Sequence, residues 1–250
     1  MPDQRGSNRL LAIVEGILVS GIWASSFVII KVGLAHMGPL TLGGLRYFTA
    51  FLLLVPLLAV RGGLARNPAP GYWARLCLMG LLAYPVSNGA LFWGLQYVPA
   101  TTAAFLHSLL PLPTLALALV WLREAPSPLQ LVGLAVALAG SALFFSPGLG
   151  AGEPLALGVI GLGVVAFAGF VVLSRGLARA GQVPVLPLTA VPLGFGGSLL
   201  LAVALPLEGP AFPSVAGWTA VLWLALVNTA MGAATIQPWS VAISLIVASS

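Results

Sequence analysis

The amino-acid sequence predicts an all-α, polytopic membrane protein built as two inverted five-helix repeats, the second of them truncated. Three observations carry that expectation. Of 250 residues, 60% are hydrophobic and only 6% charged, with a mean hydropathy of +1.08; a soluble domain carries about 25% charged residues. Apolar stretches long enough to cross a bilayer, about 20 residues each, follow one another along the chain. A stretch of the first of them returns 143 residues later, from Phe27 to Phe170.

Taken in order, the polar start Met1–Arg9 leads into span one, Leu10–Val32, which is too long for the apolar core of a signal peptide. Span two is placed at Leu40–Val60, span three at Trp73–Leu95 and span four at Ala100–Leu122. "SPLQ", Ser127–Gln130, is a capping box with proline at the first helical position, and it opens span five, Leu129–Phe145. "SPGLGAGEP" is the most loop-like stretch and marks the internal boundary. Spans six, seven and eight follow at Leu155–Ser174, Leu186–Leu205 and Trp218–Thr235, and a ninth segment, Trp239–Ala248, is too short to cross.

"FVIIKVGLAHMG" (Phe27–Gly38) aligns with "FVVLSRGLARAG" (Phe170–Gly181), and Trp73 aligns with Trp218 at a spacing of 145. Span six thus repeats span one, and span eight repeats span three. Five spans separate the copies, and five is odd, so the second copy is expected upside down. Inverted repeats of this kind are a feature of secondary transporters, whose substrate site lies near the midplane between the halves. The units are residues 1–147, with helices 1–5, and 155–250, with helices 6–8 and part of 9; helix 10 is missing. Pro99 aligns with Pro238 at 139, so span eight is about six residues shorter than its partner and span nine is interrupted. The expected result is an incomplete cavity wall with backbone ends at membrane depth.

Charge sets the orientation. Arg5, Arg9, Arg61, Arg66, Arg75, Arg123, Arg175 and Arg179 fall on one side, and Lys31 borders the other. The positive-inside rule makes the N-terminus cytoplasmic. Nine arginines against one lysine, with abundant Ala, Leu, Gly and Pro, suit a GC-rich prokaryote and hence its inner membrane. The pI near 10.2 reflects these loops and implies no nucleic-acid partner. Cys77 is the single cysteine, which excludes an intrachain disulfide. The five acidic residues, Asp3, Glu15, Glu124, Glu153 and Glu208, are too scattered for a metal-dependent membrane enzyme, and no phosphate loop or channel filter is present. Neither catalytic residues, nor a metal site, nor a cofactor is expected.

"WASSFVIIKVGL" (Trp23–Leu34), "LTLGGLRYFTAFLLL" (Leu40–Leu54) and "LPLPTLALALVWLRE" (Leu110–Glu124) resemble the EamA-type transporters of the drug/metabolite transporter superfamily. The resemblance runs to about "LALVNTA" (Leu224–Ala230). It implies ten helices in two inverted repeats, alternating access, and export or exchange of small polar metabolites, amino acids or drugs. The chain departs from that pattern in lacking full ninth and tenth helices. A truncated, non-transporting fragment or a half-assembly that needs a partner is therefore the alternative. The expected partners are the bilayer and a small-molecule substrate; a homodimer is left open.

Ionisable groups inside a span cost roughly 2.5–3.5 kcal/mol each, so each needs a reason. Glu15 lies roughly 7 Å into span one. It reads either as a protonatable coupling site or as an interfacial glutamate, hydrated or paired with an arginine such as Arg75. Arg46, in the "GLRYF" stretch matching an arginine-bearing position of the family, reads as a carboxylate fork or as a structural arginine that snorkels outward or hydrogen-bonds to the loop. His107, roughly 12 Å from the outer end of span four, reads as a cavity-lining donor or proton carrier, or as a histidine bonded to a neighbouring carbonyl. Pro111 and Pro113 beside it, and Pro85 in span three, are expected hinges, because each removes a backbone hydrogen bond. Tyr84, Ser87 and Asn88 fall at i, i+3 and i+4, one helical face, and are expected to line the substrate cavity. The other reading is interhelical hydrogen bonding. Trp23, Ser26 and Asn228 are weaker cavity candidates of the same kind.

Overall fold

In the computed structural model the described residues are 17, 21–22, 24–60, 70–123, 125–146, 152–179, 185–209 and 214–231. They form helices, with no strand among them. We number these α1 (Ala24–Leu34), α2 (Pro39–Val60), α3 (Tyr72–Gly94), α4 (Ala100–Leu122), α5 (Pro128–Phe145), α6 (Pro154–Arg179), α7 (Val185–Glu208) and α8 (Val215–Trp223, continued by Leu224–Met231). Five of them, α2, α3, α4, α6 and α7, are long and apolar enough to cross a membrane, and α1, α5 and α8 are shorter apolar helices. The chain is a multi-pass membrane protein; each of the first eight predicted spans overlaps one of these helices, span one only over its second half, Ala24–Val32. Glu15, Trp23, the segment Trp239–Ala248 and the expected open cavity wall lie outside the described residues.

The helix starts follow local chemistry. Proline opens α2, α5 and α6, where its missing N–H would have had no partner. The capping box before α5 is formed: Ser127 N–H donates to Gln130 Oε1 at 3.0 Å, and Gln130 N–H donates to Ser127 Oγ at 3.3 Å. Ser214 caps α8 by accepting from Gly217 N–H at 3.2 Å. Gly71 before α3 has φ 79°, a left-handed conformation that glycine adopts without strain.

The centre of the molecule is the pairing of α2 with α7, with α3 on α7 and α8 on α2. α6 packs on α3 and α4, and α5 on the first half of α4. Without a hydrophobic drive between helices in lipid, close contact depends on small residues. The α2–α7 seam has them on both sides. A Cβ on Gly44 would stand 2.7 Å from Leu201, one on Gly194 2.7 Å from Phe51, and one on Gly197 2.7 Å from the backbone nitrogen of Phe48. The α3–α6 crossing repeats the device, with Gly94 against Ile160 and Gly163 against the carbonyl of Ser87.

At one end of this seam, Glu208 closes α7 onto the start of α2. Its carboxylate accepts from Leu40 N–H at 2.8 Å, from Thr41 N–H at 2.8 Å and from the Thr41 hydroxyl at 2.6 Å. The first N–H groups of a helix lack intrahelical partners and carry the positive end of its dipole. A carboxylate from another helix satisfies both needs. Gly38 leaves the room, since any Cβ there would meet the Glu208 carboxylate.

Candidate functional site

Midway along α3 the backbone leaves the α-helical ladder. Pro85 has no N–H to donate, and Leu82–Asn88 winds as a π-helix. A π turn bonds i to i+5 and so takes an extra residue. The α-helical spacing that put Tyr84, Ser87 and Asn88 on one face does not apply here, and the three diverge. Tyr84 points to α2 and α7: its ring lies 4.5 Å from that of Tyr47, and it fills the space over Gly196. Ser87 sits at the crossing with α6, buried, and its Oγ has no partner among the described residues. Asn88 turns back on its own helix, where Nδ2 donates to the Ala83 carbonyl at 2.6 Å. That bond satisfies an acceptor that the π turn disturbs.

Arg46 lies inside the protein, 8% exposed, and does not snorkel to the interface. Its guanidinium carbon stands 5.0 Å from the Tyr47 ring centroid and 5.9 Å from that of Phe92. A cation over aromatic faces is held electrostatically, and more strongly where water is excluded. Phe92 is fully buried and packs over Gly43, where a Cβ would be 2.5 Å away. Arg46, Tyr47, Tyr84 and Phe92 thus form one polar-aromatic cluster between α2, α3 and α7. Tyr47 and Phe92 were not singled out as site residues from the sequence. The signal available was the Arg46–Tyr47 adjacency in "GLRYF" and the aromatic run after Asn88.

The second break is in α4. It runs as α-helix over Ala100–Ser108 and again over Pro111–Leu117, with tight i to i+3 bonds between: Leu109 N–H to Leu106 O at 3.2 Å, Leu110 N–H to His107 O at 3.1 Å and Leu112 N–H to Leu109 O at 3.0 Å. Side chains take up carbonyls around the break. The Ser108 hydroxyl donates to Phe105 O at 2.7 Å and the Thr114 hydroxyl to Leu110 O at 2.8 Å. His107 stands at this break, its ring edge-on to Phe27 of α1 at 5.8 Å. Its Nε2 is buried without a hydrogen-bond partner among the described residues. No described carbonyl therefore meets Nε2, as the packing reading of His107 would have required for that atom.

Ser26 is half-buried on α1. Asn228 falls in the π-helical continuation of α8, and its side chain lies outside the described part. Among the described residues no group of three His, Cys, Asp or Glu stands close enough to hold a metal ion.

Residues 10–146 match the model of the EamA-like transporter family. The "Uncharacterized inner membrane transporter YedA" of Escherichia coli is 31% identical over 210 residues, which cover 82% of this chain and 66% of that protein. The "Probable terminal-alkyne amino-acid exporter" of Streptantibioticus cattleyicolor is 33% identical over 128 residues, 51% of this chain and 42% of its own length. The "S-adenosylmethionine/S-adenosylhomocysteine transporter" of Chlamydia trachomatis is 30% identical over 128 residues, 51% and 39% respectively. A crystal structure superposes with a TM-score of 0.69 at 20% identity, covering 89% of this chain and 76% of its own; at that identity it speaks to the fold alone.

Proposed function

The chain belongs to the EamA-like transporter family, and from that premise we propose that it is a secondary transporter of the inner membrane, exporting or exchanging small metabolites by alternating access. The observation that carries this reading is the pair of broken helices. Irregular backbone at membrane depth persists where it is buried in protein or lines a cavity, and interrupted helices are the mark of transporter sites. α3 and α4 are both interrupted, and two buried polar atoms without a partner among the described residues, Ser87 Oγ and His107 Nε2, lie at the two interruptions.

The inverted repeat has support of its own. α3 and α8 run as α-helix for 10 and 9 residues before each turns π-helical. α3 lies on α7 as α8 lies on α2, while α2 and α7, which the repeat makes equivalent, lie on each other. A two-fold axis through the α2–α7 seam would generate that arrangement.

Amino acids and solutes bearing an amino-acid group are the first substrates to test, since two relatives are named for such cargo. Purified chain in proteoliposomes, assayed for uptake and counterflow against an amino-acid panel, is the direct experiment. Absence of flux for every solute, with the protein folded, would sink the transporter reading. Glu15 remains the proposed coupling carboxylate: Glu15→Gln should abolish pH-driven transport and leave substrate exchange intact. Unchanged pH-driven flux rules that role out.

A further inference from the structure

On the arginine-rich side of the molecule, the ends of α3, α4 and α6 leave a cavity of about 460 Å³. That volume is within the range of small-molecule sites, about 300–1,000 Å³. Leu78, Trp121, Leu122, Val172 and Gly176 give it apolar walls, and among the described residues Arg75 is the one charged group that lines it. The cavity opens sideways. Trp121 is 59% exposed and Leu78 40% exposed, on faces that a bilayer covers. Arg75 is itself exposed, one turn into α3, and its guanidinium has no hydrogen-bond or ion-pair partner among the described residues.

The surroundings extend the positive charge. Arg123 follows Leu122 directly, Arg175 precedes Gly176, and Arg179 lies one turn further on. Both described acidic residues, Glu153 and Glu208, sit at the opposite ends of their helices; in the sequence Asp3, Glu15 and Glu124 are the acids on the arginine-rich side, against eight arginines. An apolar slot open to the hydrocarbon, with a cation at its mouth and a tryptophan at the same level, has the chemistry of a lipid and not of a soluble metabolite. Basic pockets between helix ends recruit anionic headgroups, and tryptophan prefers headgroup depth.

We propose that this cavity is a binding site for an anionic phospholipid of the leaflet on the arginine-rich side, with the headgroup phosphate on Arg75 and an acyl chain between α3, α4 and α6. A guanidinium can fork two phosphate oxygens, which gives a preference over zwitterionic lipid of the same chain length.

Native mass spectrometry of the purified full chain, titrated with phosphatidylglycerol and phosphatidylcholine of identical acyl chains, tests it. Phosphatidylglycerol should be retained preferentially. Arg75→Gln should lower its occupancy roughly fivefold, the weight of about one basic residue at a charged surface. Arg179→Gln, outside the cavity, should change it less than about twofold because screening mutes distant charge. Gly176→Leu, which fills the slot without touching charge, should lower occupancy by both lipids. Equal retention of the two lipids by the unmodified chain overturns the proposal, as does an Arg75→Gln effect no larger than that of Arg179→Gln. Displacement of the lipid by excess inorganic phosphate assigns the site to a free anion instead.

Discussion

Replacing Glu208 with alanine removes three hydrogen bonds at once, those from Leu40 N–H, Thr41 N–H and the Thr41 hydroxyl. Bonds to a charged acceptor are each worth about 1.5–3 kcal/mol, but they share one carboxylate and do not add. The site is part-buried, so water replaces some of what is lost. Loss of a helix N-cap costs about 0.5–2 kcal/mol, and loss of charge at a helix N-terminus up to about 2. Together these place Glu208→Ala at about 2–3 kcal/mol, and for a chain of this size that is a fall in Tm of roughly 5–10 °C. Glu208→Gln should recover about half, because one amide oxygen still accepts while the NH2 confronts a donor. Tryptophan fluorescence during thermal unfolding in nanodiscs reads the shift. Combining Glu208→Ala with Thr41→Val adds a cycle: the pair should fall short of additivity by about 1 kcal/mol, the bond they share. A Tm within one degree of the parent for Glu208→Ala, or strict additivity in the cycle, would refute the capping argument.

Other outcomes follow from neighbouring features. Gly197→Ala, whose Cβ would press on the backbone of Phe48, should cost about 3 kcal/mol because a backbone cannot rotate aside. Gly133→Ala in α5, with nothing within 4 Å, should be neutral or stabilise by up to about 1 kcal/mol through helix propensity; equal effects of the two would undo the seam argument. His107→Leu deletes a buried Nε2 that has no described partner, so Tm should hold or rise while transport falls, and retained transport would remove His107 from the site. Asn88→Ala should cost about 1 kcal/mol by freeing the Ala83 carbonyl, and Asn88→Asp should be worse, since it sets a carboxylate oxygen against that acceptor; thermal unfolding separates the two.

What the sequence discloses here is what local chemistry controls. Span positions follow from hydropathy, the Ser127–Gln130 box from four consecutive residues, and the α4 break from Pro111 and Pro113. Contacts between distant segments carry no such signal. Glu208 reads as a loop glutamate until the fold brings it to Thr41, 167 positions away. The glycines of α2 and α7 look like those of α5 in composition, yet Gly44, Gly194 and Gly197 take neighbours at 2.7 Å while Gly133 and Gly140 face open space. The divergence of the polar residues of α3 was not legible for a different reason. Their periodicity assumed an α-helix, and the π turn at Pro85 changed the count just where the polar residues lie. Arg46 was legible as an unusual residue but not as a partner of Tyr47 and Phe92, because ring contacts depend on how α2 and α3 meet.

The α2–α7 seam also bears on how such a chain can change over generations. A helix face that meets its neighbour through hydrogen atoms alone accepts no larger residue, whatever its hydrophobicity. A helix with open space around it, such as α5, accepts almost any apolar residue. Drift is then confined to the periphery, and on the proposed function new specificities would arise where α3 and α4 are interrupted, around a frame that stays still.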